Sequence, residues 1–247
     1  MGRFKKKVII ESEVTKKMFY DYINATGCQK IFLSSIYNPE TLNIFSDAST
    51  IKKNNITYGC FGAVCVVGDE IIDSKYVVFE KTTSNACEVH GVLLAFDFAF
   101  KYMKQFKFIN IFSDSLYSVK GFREYIYGWR YHKHKLYRTP SKKHPVEHQE
   151  VFVEGFDMWQ RMLLVNPNIR LFHQKGHVGT ESPNSVIDAA NKFAEFNNYY
   201  GSIDLNFIRY ISNYNNFVDN MTRQYLKRYD SDKYYIDPIK FFPTHPY

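Results

Sequence analysis

Two apolar segments with the composition of β-strands each lead to an aspartate. Residues 42–45 precede Asp47 in the segment IFSDAS, and residues 108–112 precede Asp114 in NIFSDS. Between them, Glu88 opens a segment in which apolar residues recur at helical spacing, at Val89, Val92, Leu93, Phe96, Phe100 and Met103. A helix that crosses between two neighbouring strands makes those strands parallel, so they end at the same edge of the sheet. The pattern predicts an α/β fold that brings Asp47 and Asp114 to one edge.

Further patterns extend this fold on both sides. Alternating segments predict strands over residues 42–47, 58–67 and 71–79, joined by close turns as an antiparallel meander, before helix 88–104 and strand 108–114. The sheet is therefore expected to be mixed. Downstream, the patterns predict helices over 116–127, 147–165, 185–197, 205–213 and 218–228, and one more strand over 169–173. We divide the chain into an N-terminal extension (1–40), a main domain (41–230) and a C-terminal tail (231–247).

Asp47, Glu88 and Asp114 form a candidate metal site. Three carboxylates brought together repel one another and lose hydration, so such a cluster makes sense mainly when divalent cations neutralise it. Hard oxygen ligands favour Mg²⁺ or Mn²⁺ over zinc. The three residues therefore predict a site for hard divalent cations, of the kind that metal-dependent nucleases use.

Cysteine spacing and hydropathy bear on the cellular compartment. The four cysteines contain no CxxC pair, so they predict neither a zinc site nor a disulfide framework. Reduced thiols are typical of the cytosol. No segment approaches the roughly 18 apolar residues of a membrane span. We therefore expect a cytoplasmic protein with no membrane attachment, and a monomer.

Four short segments, taken together and in order, resemble the ribonuclease H family in its type 1, cellular form. They are NACEVHGVLLA (85–95), SDSLYSVKG (113–121), FDMWQRM (156–162) and HQKGHVG (173–179), and the resemblance extends over roughly residues 42–228. It implies a ribonuclease H-like fold, with a five-stranded mixed sheet flanked by helices. Here the fold would carry an N-terminal extension and extra C-terminal helices, as in a bacterial or phage form.

The resemblance also implies an activity and a mechanism. Members of the family hydrolyse the RNA strand of RNA/DNA hybrids and leave 3′-hydroxyl and 5′-phosphate ends. Two Mg²⁺ or Mn²⁺ ions about 4 Å apart would bridge the scissile phosphate. Asp47, Glu88, Asp114 and a fourth carboxylate would hold them. His177, in a loop flanked by glycine, would move protons or help product leave.

Two aspartates compete for the fourth position, which the family places at the start of a helix four residues after an asparagine. Asp188 has nearly the usual distance from His177 and follows Asn184 at that spacing. Asp219 follows Asn215 at the same spacing, and its local sequence, VDNMTR, is more similar to the family's helix. We favour Asp219, which implies an inserted segment over about residues 184–213, and keep Asp188 as the alternative.

The net charge of +7 and a basic, aromatic segment at 128–144 predict a polyanionic partner. This segment is similar to the family's basic protrusion, which grips the DNA strand, although it also fits a solvated loop. Asn85 and Ser115 fit either hybrid contacts or helix caps. The candidate nucleic-acid contacts are Asn85, Ser115, Trp129, Arg130, Lys133, Lys135, Arg138, Lys142 and Lys143.

Two other functions fit parts of the pattern. Resolvases and integrases share the fold and its clustered carboxylates but act on DNA, so fold alone does not exclude them. A non-catalytic nucleic-acid-binding protein would retain the basic segment without metal-dependent turnover. The helical segment that contains Glu88, together with SDSLYSV and WQRM, favours ribonuclease H over both of these functions.

Overall fold

The computed structural model describes residues 36–132, 135–138, 144–199 and 201–229. Most of the predicted N-terminal extension and the whole C-terminal tail lie outside these ranges. The main sheet consists of β1 (Thr41–Lys53), β2 (Ile56–Val67), β3 (Glu70–Glu80), β4 (Phe108–Ser113) and β7 (Ile169–His173). A separate hairpin consists of β5 (Arg130–His132) and β6 (Lys135–Tyr137).

The five strands lie in the order β3-β2-β1-β4-β7. β1, β2 and β3 pair antiparallel, whereas β1 with β4 and β4 with β7 pair parallel. Asn54 and Asn55, both in the left-handed region at φ 49° and 63°, turn β1 into β2. Such a two-residue turn matches the twist of a hairpin. The predicted five-stranded mixed sheet is confirmed.

Helices cover both faces of this sheet. They are α1 (Ser84–Tyr102), α2 (Leu116–Lys120), α3 (Ile126–Gly128), α4 (Gln149–Val165), α5 (Pro183–Asn197) and α6 (Leu205–Arg228), with a π-helical turn, Gly121–Tyr125, joining α2 to α3. In β1, Leu42 and Ile44 face a core shared with α1 and α4. Phe45 faces a second core shared with α5 and α6. The period-two alternation of a strand thus separates the two cores.

The C-terminal region contains one helix where the sequence predicts two. α6 continues through Asn213, Asn215 and Asn216, although asparagine is a weak helix former. Asn215 is 1% exposed, and both ends of its amide group are hydrogen-bonded, which offsets that weakness. The expected boundary near residue 213 therefore lies inside a 24-residue helix.

β1 is longer than the sequence predicts. It runs to Lys53, opposite Ile56 of β2, whereas its parallel pairing with β4 ends at Ser46. Its second half is mostly exposed or half-buried, which explains why no apolar alternation marks it. In the described part of the chain, no helix is both long enough and apolar enough to cross a membrane.

Candidate metal centre and nucleic-acid interface

The end of the β1–β4 pairing brings Asp47 and Asp114 together. The last parallel pair is Ser46 with Ser113, and each aspartate is the next residue along its strand direction. β1 continues past this point while β4 stops, so Asp47 lies in the interior of a strand and Asp114 lies just after one. Oxygen atoms of Asp47, Glu88 and Asp114 lie within 4.8 Å of one another.

Close packing of α1 on β1 delivers the third carboxylate. Thr83 caps the helix by accepting a hydrogen bond from the Ala86 amide at 3.1 Å, and Glu88 follows in the next turn. A Cβ atom at Gly91 would lie 3.5 Å from the Asp47 carbonyl oxygen. Gly91 is one turn after Glu88, so the helix lies close to β1 beside Glu88.

The cluster is electrostatically strained in the absence of a cation. Asp47 is 4% exposed, and its Oδ2 and the Oε2 of Glu88 have no hydrogen-bond partner among the described residues. Burial, followed by the charges of Asp114 and Glu88, raises the pKa of Asp47 well above its usual range. Burial and the charges of Asp114 and Asp219 do the same to the pKa of Glu88. Burial also raises the pKa of Asp114, although a hydrogen bond from Asn215 opposes the rise.

Asp219 of α6 lies beside this cluster, on the face of the sheet opposite to α1. It is 7% exposed, and its Oδ1 accepts hydrogen bonds from Arg223 Nε at 2.8 Å and Ser49 Oγ at 3.4 Å. Its Oδ2 lies 3.6 Å from His177 Nδ1. Asp219 is not one of the three residues within 4.8 Å of one another, but its charge raises the pKa of both Asp47 and Glu88.

Asp188 lies in a different environment. Its carboxylate is 49% exposed and is bound by Lys175 at 2.6 Å and Lys192 at 3.6 Å. The hydrogen bond from Lys175 lowers the pKa of Asp188, in contrast to the rise at Asp47 and Glu88. Asp188 thus belongs to a group of surface ion pairs that joins α5 to the loop containing Lys175 and His177.

The histidine loop, residues 174–179, lies directly against Asp114. A Cβ atom at Gly176 would be 2.2 Å from Asp114 Oδ2, so only glycine fits there without a shift. His177 is 68% exposed and has a φ of 52°, in the left-handed region that a residue with a side chain rarely occupies. Its position at the mouth of the cluster suits a group that exchanges protons with solvent or substrate.

Two buried side-chain amides form a hydrogen-bonded chain to Asp114, and this role was not predicted from the sequence. Gln174 Nε2 donates to Asn215 Oδ1 at 2.6 Å, and Asn215 Nδ2 donates to Asp114 Oδ2 at 3.3 Å. Asn215 precedes Asp219 by one helical turn and therefore links the two carboxylates through α6. The spacing of Asn215 and Asp219 was visible in the sequence, but the partner of Asn215 was not.

A buried histidine also contacts Asp114, through the Asp114 backbone. His173 Nε2 lies 3.1 Å from the Asp114 carbonyl oxygen, and the ring packs edge-on against Phe196. Burial lowers the pKa of His173 to about 4, so the ring is neutral at physiological pH. A neutral imidazole can donate to that carbonyl through Nε2. Neither the apolar alternation of β7 nor the histidine-loop motif distinguishes this residue.

The predicted nucleic-acid contacts divide into three groups. Asn85 is exposed in the first turn of α1, and Ser115 caps α2 by accepting a hydrogen bond from the Ser118 amide. Lys135 and Arg138 are exposed on or beside β6, and the Arg138 guanidinium lies 5.9 Å from the Tyr117 ring centre. Lys133, Lys142, Lys143 and the side chain of Arg130 lie outside the described part of the structure.

The interpretation of Trp129 as a nucleic-acid contact is wrong. Its side chain is only 6% exposed, and the ring packs edge-on against Phe152 of α4, with the ring centres 5.0 Å apart. Leu136 of β6 lies in the same core. Trp129 therefore anchors the base of the hairpin to α4.

Sequence comparison decides the family. The profile RNase H matches residues 39–195. This chain belongs to the ribonuclease H family. It is 29% identical over 161 residues to the ribonuclease H of Ralstonia nicotianae, which covers 63% of this chain and 93% of that protein. It is 30% identical over 155 residues to the ribonuclease H of Cupriavidus metallidurans, and the match covers 60% of this chain and 92% of that protein.

Membership makes this ribonuclease H an endoribonuclease. Among solved structures, the chain is similar to the RNase H domain of PFV, with a TM-score of 0.42 and 18% identity over 63% of this chain and 90% of that domain. The profile match includes Asp188 and ends before Asp219. The choice between the two aspartates therefore depends on their surroundings.

The carboxylates of this ribonuclease H fit a hard divalent cation. The donors are all oxygen atoms, three of them lie within 4.8 Å of one another, and two buried oxygens lack another partner among the described residues. A cation would satisfy those oxygens and remove the repulsion that raises the pKa values. Asp47, Glu88 and Asp114 are the residues that could hold it.

Replacing Gly176 with alanine is expected to impair this site without unfolding the protein. The new methyl group would displace the Asp114 carboxylate, the movable end of a side chain, so the structural change should stay local. A displacement of about 1 Å at a catalytic group lowers rates by roughly a hundredfold. Turnover measured across a metal titration should show weaker metal affinity in Gly176→Ala. Gly179→Ala is the matched control, because its Cβ would approach no atom closer than 3.9 Å. Equal activity in both variants would contradict the account.

Proposed function

We propose that this ribonuclease H hydrolyses the RNA strand of RNA/DNA hybrids and leaves 3′-hydroxyl and 5′-phosphate ends, acting as a cytoplasmic monomer. The observation that carries the proposal is the cluster of Asp47, Glu88 and Asp114 at the point where β1 and β4 diverge. Family membership supports the choice of reaction. A basic hairpin, whose base packs through Trp129 against α4, supports a polyanionic substrate.

We further propose that Asp47, Glu88, Asp114 and Asp219 hold two divalent cations, Mg²⁺ or Mn²⁺. When bound, such cations activate a water molecule for attack on the phosphate and stabilise the leaving 3′ oxygen. Asp47 lies centrally and would contact both sites. Burial excludes bulk water around its carboxylate and strengthens every electrostatic interaction there.

His177 is proposed to move protons at the mouth of the site. Its ring is exposed, and its Nδ1 lies 3.6 Å from Asp219 Oδ2. An exposed imidazole in this position can accept a proton from the attacking water or deliver one to the leaving oxygen. The left-handed backbone at His177 is a rarely occupied conformation of the kind that clusters at functional sites.

Asn85, Ser115, Lys135 and Arg138 are proposed to contact the hybrid, together with Arg130, Lys133, Lys142 and Lys143. Asn85 lies one turn before Glu88 and can reach a 2′-hydroxyl group or a base edge. The basic side chains would neutralise phosphates without reading sequence. Cleavage should therefore depend on hybrid shape more than on base order.

A substrate panel tests this proposal. Wild-type protein would be incubated with RNA/DNA hybrid, double-stranded RNA, double-stranded DNA and a DNA four-way junction, each with Mg²⁺ or Mn²⁺, and product ends would be mapped by ligation and phosphatase treatment. Cleavage confined to the RNA of the hybrid supports the proposal. Cleavage of DNA would favour a resolvase-type nuclease, and binding without any cleavage would favour a non-catalytic protein.

Paired substitutions test which aspartate completes the metal site. Asp219→Asn is expected to lower hybrid cleavage by about a hundredfold or more, because it removes one carboxylate beside the cluster. Asp188→Asn is expected to change it by less than about threefold, since exposed ion pairs contribute little. Single-turnover rates at saturating metal are the measurement. A larger loss in Asp188→Asn would reverse the assignment.

A further inference from the structure

The outer face of α6 carries a polar stripe that begins beside the histidine loop. Asn216, Asn220, Arg223 and Lys227 are spaced by four, three and four residues, so they lie along one side of the helix. Asn216 Nδ2 donates to the Val178 carbonyl at 3.0 Å, next to His177. The stripe is about 16 Å long from Asn216 to Lys227. Lys227 lies two turns beyond Asp219 along α6.

The C-terminal half of α6 packs against the hairpin that β1 and β2 form. Ser49 Oγ lies 2.8 Å from Thr222 Oγ1, and the rings of Tyr58 and Tyr229 lie 5.8 Å apart. Tyr58 is paired with Ile51, the residue before Lys52. The loop before α1 joins the same region, because the Thr82 amide donates to the Thr57 carbonyl at 3.2 Å.

These contacts gather positive charge at one end of the molecule. The segments 50–58, 80–82 and 220–229 contain one acidic residue, Glu80. We define the tip surface as their exposed basic residues outside the carboxylate site, which are Lys52, Lys53, Lys81, Lys227 and Arg228. Arg223 is set apart because it binds Asp219.

The α6 residues of the tip surface and the basic hairpin lie on opposite sides of the sheet. The hairpin packs through Trp129 and Leu136 into the core that α1 and α4 share. α6 packs through residues such as Tyr210 and Val218 into the other core. Carboxylates reach the site from both faces, Glu88 from α1 and Asp219 from α6, so the site lies between the two faces.

We propose that the tip surface binds the sugar-phosphate backbone of the hybrid beyond the cleavage site, as a second anchor opposite the basic hairpin. The identity of the ligand rests on the proposed function. Lysine and arginine on flexible side chains neutralise phosphates without base specificity, so the anchor extends the footprint along the duplex and adds affinity at any sequence. The stripe on α6 provides a polar path between the anchor and the carboxylates.

Salt-dependent binding tests the anchor separately from cleavage. Affinity for a labelled hybrid of roughly two helical turns would be measured by anisotropy over a range of NaCl concentrations, in an Asp114→Asn background that leaves the hybrid uncut. The variants are Lys227→Gln with Arg228→Gln, Lys52→Gln with Lys53→Gln, and all four together. The matched control is Lys104→Gln with Lys107→Gln, between α1 and the start of β4, at the end of that strand away from Asp114.

Each tip pair is expected to reduce the slope of log affinity against log salt by about 1 to 2, and the four together by about 3, because each lost phosphate contact removes about 0.9. The control pair should leave the slope unchanged. Equal slopes in all variants, with unchanged thermal unfolding, would overturn the anchor, even if the wild type cuts hybrids. If the wild type cuts no hybrid, the proposed function fails, and the slopes still decide whether the tip surface binds nucleic acid.

Discussion

Replacing Asp47 with asparagine is expected to lower the rate of hybrid cleavage by at least about a thousandfold while the protein stays folded. Asp47 is the most buried of the three clustered carboxylates and faces both neighbouring acids. Losing a ligand that the proposed cations share would remove several kcal/mol of transition-state stabilisation, and about 4 kcal/mol corresponds to a thousandfold. The amide keeps the size of the carboxylate and can still accept the hydrogen bond from the Ala48 amide. Single-turnover kinetics on a labelled hybrid provide the measurement.

Asp157→Asn is the matched control for that substitution. Asp157 lies on α4, its side chain is 43% exposed, and it pairs with Arg161 at 2.8 Å on the surface. Its replacement removes the same charge from the protein without touching the cluster, so cleavage should stay within about twofold of wild type. A loss at Asp157 comparable to that at Asp47 would mean that net charge, rather than the cluster, governs the rate.

The second large effect is expected in stability. In metal-free buffer, the carboxylates of Asp47 and Glu88 have raised pKa values in the folded protein. The folded state therefore retains protons that the unfolded state has released above about pH 4. Stability must then fall as pH rises from there through the raised pKa values, by up to about 1.4 kcal/mol per pH unit for each retained proton.

Added Mg²⁺ or Mn²⁺ should reverse this loss. A ligand at about 100 times its dissociation constant stabilises the folded state by about 2.7 kcal/mol, which corresponds to roughly 5 to 10 °C in Tm for a domain of this size. The gain should increase with pH, because only ionised carboxylates bind the cation. Asp47→Asn should unfold at a higher temperature than wild type in chelator at neutral pH and gain little from metal. Identical thermal unfolding curves with and without metal would contradict a cation site.

The sequence predicts the parts of the site that depend on regular spacing. Asp47 and Asp114 could be placed together because a strand, a crossover helix and a parallel strand leave few alternatives. The helical spacing of the apolar residues after Glu88 predicted that Glu88 lies on a helix, and α1 confirms this. The strand over Ile169–His173 was predicted to the residue.

Features that depend on tertiary contacts could not be predicted. Trp129 lies among basic residues in the chain, yet Phe152, 23 positions further on, provides its packing partner. The asparagines of α6 look like a break between helices until the buried partner of Asn215 is known. Gln174 and His173 resemble ordinary strand-end residues in sequence. Their roles depend on the position of Asp114, which is distant in the chain.

The central claim is that these carboxylates hold divalent cations that drive cleavage of RNA in a hybrid. The most direct measurement is incubation of purified protein with a hybrid labelled on its RNA strand, with Mg²⁺ or Mn²⁺ and with chelator, beside Asp114→Asn. The account predicts cutting of the RNA by the wild type with metal, and none with chelator or in the variant. Cutting that persists in chelator or in Asp114→Asn, or no cutting by the wild type with either metal, would contradict it.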